Sequence, residues 1–202
     1  MACLICVAAP AAQADVETLI CLRHSEKTPT ELGQLTIRGL NRSLALPAVL
    51  ISRYGTPQFI FAPDPARNLC GGANGAPCEY YLRGLATIEP TAIKLGLPVN
   101  TAFGFAETDG LEHEILRAGY RNSVIFITWE HIALNKFTAR LLTHLGGSAT
   151  EVPSWPDDDY DRIYVIRIER NGARTSVSFK RDREGLNGMS DDFPIPGAPS
   201  RS

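Results

Sequence analysis

Ser123-Val124-Ile125-Phe126-Ile127-Thr128-Trp129 runs without a break into Glu130-His131-Ile132-Ala133. A short, continuous run of β-branched and aromatic residues predicts a strand buried on both faces, as in a parallel sheet. Beyond it, Ala133, Phe137, Leu141 and Leu145 recur every four residues, the spacing of one helix face. Working back from this strand–helix pair, Asp109–Ala118 is a candidate helix with Leu111, Ile115 and Leu116 on one side. A helix is predicted from about Gly84 to Lys94, interrupted by Pro90 and ended by Gly96-Leu97-Pro98. Gln58–Ala62 is a second core strand, and residues 36–53 are helical in spacing, with Pro47 kinking or splitting them. Val16–Leu22 is a further buried strand. Towards the C-terminus, a Pro/Asp-rich loop at 153–161 leads to Ile163–Ile168, and Asn171-Gly172 marks a tight turn into Ala173–Phe179. The tail, 181–202, is polar and shows no core of its own. Strand and helix alternate, which predicts an α/β fold: a mostly parallel central sheet flanked by helices in a three-layer sandwich, with a C-terminal β-hairpin.

Residues 1–14, MACLICVAAPAAQA, carry no charge, and Asp15 is the first ionised side chain. The stretch is shorter than the roughly 20 residues that span a bilayer. It is expected to be a signal peptide in truncated form, with Ala12-Gln13-Ala14 as a small-x-small cleavage site and the usual basic start missing. Ile5 stands before Cys6 where a lipoprotein signal would need a small residue, so no stable membrane anchor is expected. The expectation is a periplasmic or secreted bacterial protein whose single domain is residues 15–202. In that compartment Cys70 and Cys78, which enclose seven residues of a Gly/Ala-rich loop, are candidates for a local disulfide, while Cys21 lies inside a strand as a small hydrophobe. With 20 Lys+Arg against 22 Asp+Glu and no basic run, nothing marks the chain as a nucleic-acid binder. The sequence does not set the oligomeric state.

Ligands of α/β sheets bind outside the carboxyl ends of the strands. Two such ends carry chemistry here: Arg23-His24 after the first strand, and Trp129-Glu130-His131 after the strand quoted above. Around them, Leu22-Arg23-His24-Ser25-Glu26-Lys27 resembles the Arg-His-x-Glu signature of the histidine phosphatase superfamily, the fold shared with phosphoglycerate mutase. Leu35–Arg42 is similar to the Leu-Thr-x-x-Gly segment opening that family's first helix, Arg83–Pro90 to the segment with its second phosphate-binding Arg, and Val124–His131 to its last core strand and second His. The four segments occur in the family's order, from about residue 16 to 145. The chain departs from the pattern in an insert at 63–80, in the Trp129-Glu130-His131 context of the second His, and in lacking a clear counterpart of the acidic proton donor.

The resemblance implies a phosphatase acting on a small-molecule phosphomonoester through phospho-His24. Arg23, Arg83 and His131 would hold the phosphate, with no metal or other cofactor required. Glu107 lies where the mutase-like branch carries its acid, with Glu130 and Asp109 as the other candidates. The alternative on the same fold is a catalytically weak phosphate- or phospholigand-binding protein. Asp157-Asp158-Asp159 is expected to be a solvated loop.

Overall fold

The computed structural model describes residues 14–29, 33–70 and 78–194. The expected signal peptide therefore lies almost wholly outside the described residues. A six-stranded sheet has the order β5-β2-β6-β1-β7-β8, with β1 Asp15–Arg23, β2 Phe59–Phe61, β5 Val99–Asn100, β6 Val124–Trp129, β7 Arg162–Asn171 and β8 Arg174–Arg183. The neighbours β5, β2, β6 and β1 run parallel, while β7 is antiparallel to β1 and closes a hairpin with β8. Two short strands, β3 Asn68–Leu69 and β4 Glu79–Tyr80, pair separately inside the insert. The helices are α1 Ile37–Tyr54, α2 Arg83–Leu95, α3 Thr108–Ile115 and α4 His131–His144.

The period of two along β1 divides the core. Leu19 and Cys21 pack on one face with Ile125, Ile127 and Trp129 of β6, against Leu111 and Ile115 of α3 and Leu134, Phe137 and Leu141 of α4. Ile20 and Leu22 point the other way, with Phe126, to meet Leu46 and Leu50 of α1 and Ile88 and Ala92 of α2. Each such aliphatic side chain taken out of water contributes roughly 1.5–3 kcal/mol. Burial on both faces explains why the β6 run is continuous rather than alternating. This is the three-layer α/β architecture expected.

Three expectations change. Pro47 and Pro90 lie inside α1 and α2 without ending them, so 37–54 is one helix. The third helix stops at Ile115 and a separate 3₁₀ turn covers Ala118–Tyr120. The tail is not free of the core: Leu186 packs against the cluster that includes Leu46 and Ile163, and Asp191 pairs with Arg38 of α1. No helix among the described residues is long and apolar enough to cross a membrane.

Candidate active site

Register puts Arg23 of β1 opposite Trp129 of β6, so the two strands end side by side. The His24 amide donates to the Trp129 carbonyl at 2.9 Å, tying the residue after β1 to the end of β6. Behind His24, the Ser25 amide donates to Thr87 Oγ1 of α2 at 2.8 Å, and the Thr36 amide, at the N-cap of α1, donates to the Glu26 carbonyl at 2.8 Å. Gly39 lies so close to this turn that a Cβ there would meet the Glu26 carbonyl oxygen at 2.5 Å. Gly84 performs the same service for α2: a Cβ would meet Pro63 at 2.5 Å, so the helix bearing Arg83 can approach the end of β2. Glu26 itself is spent on Arg42, whose Nη2 lies 2.8 Å from its carboxylate.

His24 is 1% exposed, and its Nδ1 lies 2.7 Å from the Ser25 carbonyl. A carbonyl can only accept, so Nδ1 carries the proton and Nε2 keeps its lone pair. Burial first, and then the charges of Arg83 and Arg23, hold the imidazole pKa well below its ordinary value. The residue is a neutral imidazole with one oriented, unprotonated nitrogen.

Two buried guanidinium groups flank it. Arg23 is 2% exposed; its Nη1 donates to the Asp157 carbonyl at 2.6 Å, and its guanidinium lies 3.9 Å from the centre of the Tyr160 ring. Arg83, at the first turn of α2, is 4% exposed, with its guanidinium 4.8 Å from the Tyr81 ring centre. Arg23 Nε, Arg83 Nε and Arg83 Nη1 are buried and have no hydrogen-bond partner. Buried donors are nearly always paired, and an unpaired cationic one is expensive, so this cluster is shaped for an anion. Tyr81 and Tyr160 each approach the His24 ring at 6.1 Å between centroids and wall the site.

His131, at the start of α4, is 6% exposed. Its Nδ1 lies 2.5 Å from Glu130 Oε1 and its Nε2 2.7 Å from Asp157 Oδ1. Glu130 is the N-cap of α4, accepting from the Ala133 amide at 2.8 Å. Burial raises its pKa, but His131 and the helix-terminal amides of Ile132 and Ala133 outweigh that and hold it down to about 2. It is thus an ionised cap and not a store of protons. Glu107 stands before α3, two residues beyond Phe105, which packs on Tyr81. One carboxylate oxygen of Glu107 is held by Arg67 and the other accepts from the Gly104 amide at 3.0 Å. Asp109 projects from α3 to pair with Arg140 of α4 at 2.7 Å, with its side chain 88% exposed.

The structure gathers Arg23, His24, Arg83 and His131 at one place, while Asp109 is exposed and paired with Arg140. The sequence reading missed Asp157 and Tyr160. The 153–161 segment is no mere solvated loop, since it supplies one residue to Arg23 and His131 and another to Arg23 and His24. The acidic run was the available signal, but only the fold shows which strand end it folds over. Cys70 and Cys78 form a disulfide closing the insert. Among the described residues, no cluster of three or more His, Cys, Asp or Glu could hold a metal ion.

No protein-family model matches the chain, and no curated protein sequence is significantly similar to it. Solved structures do match. A phosphoglycerate mutase from Plasmodium falciparum superposes with a TM-score of 0.51 at 9% identity, over 93% of this chain and 98% of the mutase. A mycobacterial glucosyl-3-phosphoglycerate phosphatase, solved with inorganic phosphate, gives 0.52 at 12% identity, over 82% and 95% of the two chains. A SixA protein from Nakamurella multipartitia, assigned as a phosphohistidine phosphatase, gives 0.52 at 12%, over 82% and 94%. The fold is the one these mutase and phosphatase structures share. The strand order places β1 and β6 centrally in the sheet, and His24 and His131 follow their ends.

Proposed function

We propose that the protein is a phosphatase that hydrolyses a small-molecule phosphomonoester through phosphorylation of His24, without a metal. The carrying observation is the neutral His24, with Nε2 unprotonated, set beside buried guanidinium donors that lack partners. The Nε2 lone pair attacks phosphorus, and Arg23 and Arg83 bind the equatorial oxygens, whose charge spreads in the transition state. A unit charge pair about 4 Å apart is worth about 4 kcal/mol at an effective dielectric near 20, so two such donors hold the phosphoryl oxygens strongly, and the part that grows in the transition state lowers the barrier. His131 adds a third donor. Water then attacks the phosphohistidine and releases inorganic phosphate. One fold neighbour is a glucosyl-3-phosphoglycerate phosphatase solved with inorganic phosphate, which supports a small phosphorylated substrate.

An exported location fits the same proposal. The Cys70–Cys78 bridge is of the kind that persists in oxidising compartments, and the uncharged residues 1–14 would be removed on export. Fractionation of cells that express the gene tests this.

Turnover of p-nitrophenyl phosphate by wild type and His24→Ala in the presence of EDTA tests the chemistry. Activity in the wild type that survives EDTA and vanishes in His24→Ala is expected. Phosphate binding without turnover on any phosphomonoester would make the protein a phospholigand-binding member of the fold, and loss with EDTA would overturn the metal-free mechanism.

A further inference from the structure

Expelling an alkoxide or phenoxide from phosphorus requires a proton donor at the departing oxygen. The carboxylates read from the sequence are committed elsewhere: Glu130 caps α4, Glu107 is held by Arg67 and the Gly104 amide, and Asp109 pairs with Arg140. We propose that Asp157, on the loop between α4 and β7, is the general acid and base of the phosphatase reaction. The assignment rests on the functional reading above.

Asp157 is the carboxylate that the loop brings to His131, with Oδ1 2.7 Å from Nε2. Its backbone carbonyl accepts from Arg23 at 2.6 Å, so one residue touches two of the three expected phosphate ligands. The loop presenting it is built firmly. Trp155 Nε1 donates to the Asp159 carbonyl at 2.8 Å, and Arg162 braces Asp159 at 2.9 Å and the Ser154 carbonyl at 2.8 Å. The Asp157 side chain is nonetheless 91% exposed, so it can exchange protons with water at the mouth of the site. Arg23 and His131 face it with donating groups, and Glu130 lies at the other nitrogen of the imidazole. An incoming phosphate takes over His131 as its donor, which frees Asp157 Oδ1 to face the departing oxygen.

In the first step His24 Nε2 forms the N–P bond as the P–O bond to the leaving group breaks, and the Asp157 proton passes to that oxygen, releasing an alcohol. In the second, the Asp157 carboxylate takes a proton from water, the water oxygen bonds phosphorus, and the N–P electron pair returns to His24. Inorganic phosphate leaves, and Asp157 is again protonated.

The test compares kcat/KM of Asp157→Asn on phenyl phosphate, whose leaving oxygen needs a proton, and on p-nitrophenyl phosphate, whose phenolate leaves without one. Because kcat/KM reports only as far as phosphoryl transfer, slow hydrolysis of phospho-His24 does not obscure it. The expected result is a loss of about 100-fold on phenyl phosphate with little change on p-nitrophenyl phosphate. Protection against thermal unfolding by inorganic phosphate, equal to that of the wild type, would show that the variant is folded and its anion site intact. Equal losses on both substrates would mean that Asp157 merely positions His131, and no loss would dismiss it; both overturn the assignment. The leaving-group signature appearing in Glu107→Gln instead would give the role to Glu107. A wild type inert on both substrates would overturn the phosphatase reading itself.

Discussion

His24 costs the fold something that a surface histidine would not. In the unfolded chain its imidazole takes up a proton as the pH falls through about 6.5. In the folded protein, burial and the charges of Arg83 and Arg23 keep the proton off. The unfolded state therefore binds more protons below that pH, so the contribution of His24 to stability is fully present above about 6.5 and is lost as the pH falls below it. The slope is at most about 1.4 kcal/mol per pH unit for one group. His24→Asn has no such proton to take up. Urea titrations at pH 7.5 and 5 should show wild type losing stability relative to His24→Asn on acidification. A constant difference between the two would mean that the folded imidazole titrates like a free one, which would remove the basis for a neutral nucleophile.

Among the elements, β1, β6, α4 and the β7–β8 hairpin were legible in the sequence because each is specified locally: apolar runs, a four-residue period, and Asn171-Gly172 at the turn. Arg23, His24 and His131 were legible for the same reason, since each stands at the end of such a run. Asp157 and Tyr160 were not, because their meaning lies in contacts with residues more than a hundred positions away, and an acidic loop has no periodicity to read. The insert is an intermediate case. Its bridge was expected from spacing, but its work is visible only in the structure. Cys78 immediately precedes β4, and β4 immediately precedes Tyr81, the buried ring packed on His24 and Arg83. The bridge therefore anchors the segment that places a wall of the site. A crosslink closing so short a loop removes about 2–3 kcal/mol of unfolded-state entropy. Cys70→Ser/Cys78→Ser should unfold at lower urea by up to that amount, and should turn over p-nitrophenyl phosphate several-fold more slowly, through KM as well as kcat. Unaltered kinetics would mean that β3–β4 pairing alone holds Tyr81.

At the scale of the whole molecule, the segment after β8 secures the turn that follows His24. Arg42 of α1 is 1% exposed and is surrounded by Glu26 at 2.8 Å, Glu184 at 2.6 Å and Asp161 at 3.4 Å, with Asn187 accepting from it at 3.2 Å. Glu26 belongs to the turn after His24, Asp161 to the end of the Asp157 loop, and Glu184 to the tail beyond β8. One buried guanidinium thus joins the turn after His24, the loop of Asp157 and the segment after β8. Burying the Arg42 charge is tolerable only while its partners remain, and removing one member of a buried ion pair typically costs about 3–5 kcal/mol. The contacts further along, Asp191 with Arg38 and the Ser190 and Asp192 carbonyls with Asn41, are exposed and should be worth about 1 kcal/mol or less. Two truncations separate these contributions. Ending the chain after Met189 should leave urea stability and turnover close to wild type. Ending it after Arg183 removes Glu184 and Asn187, and should lower stability by several kcal/mol and reduce kcat even where the protein remains folded, because Glu26 and Asp161 lose the common anchor that holds their loops together. Equal behaviour of the two truncations would show that Glu26 and Asp161 alone suffice for Arg42, and that the tail has no part in shaping the site.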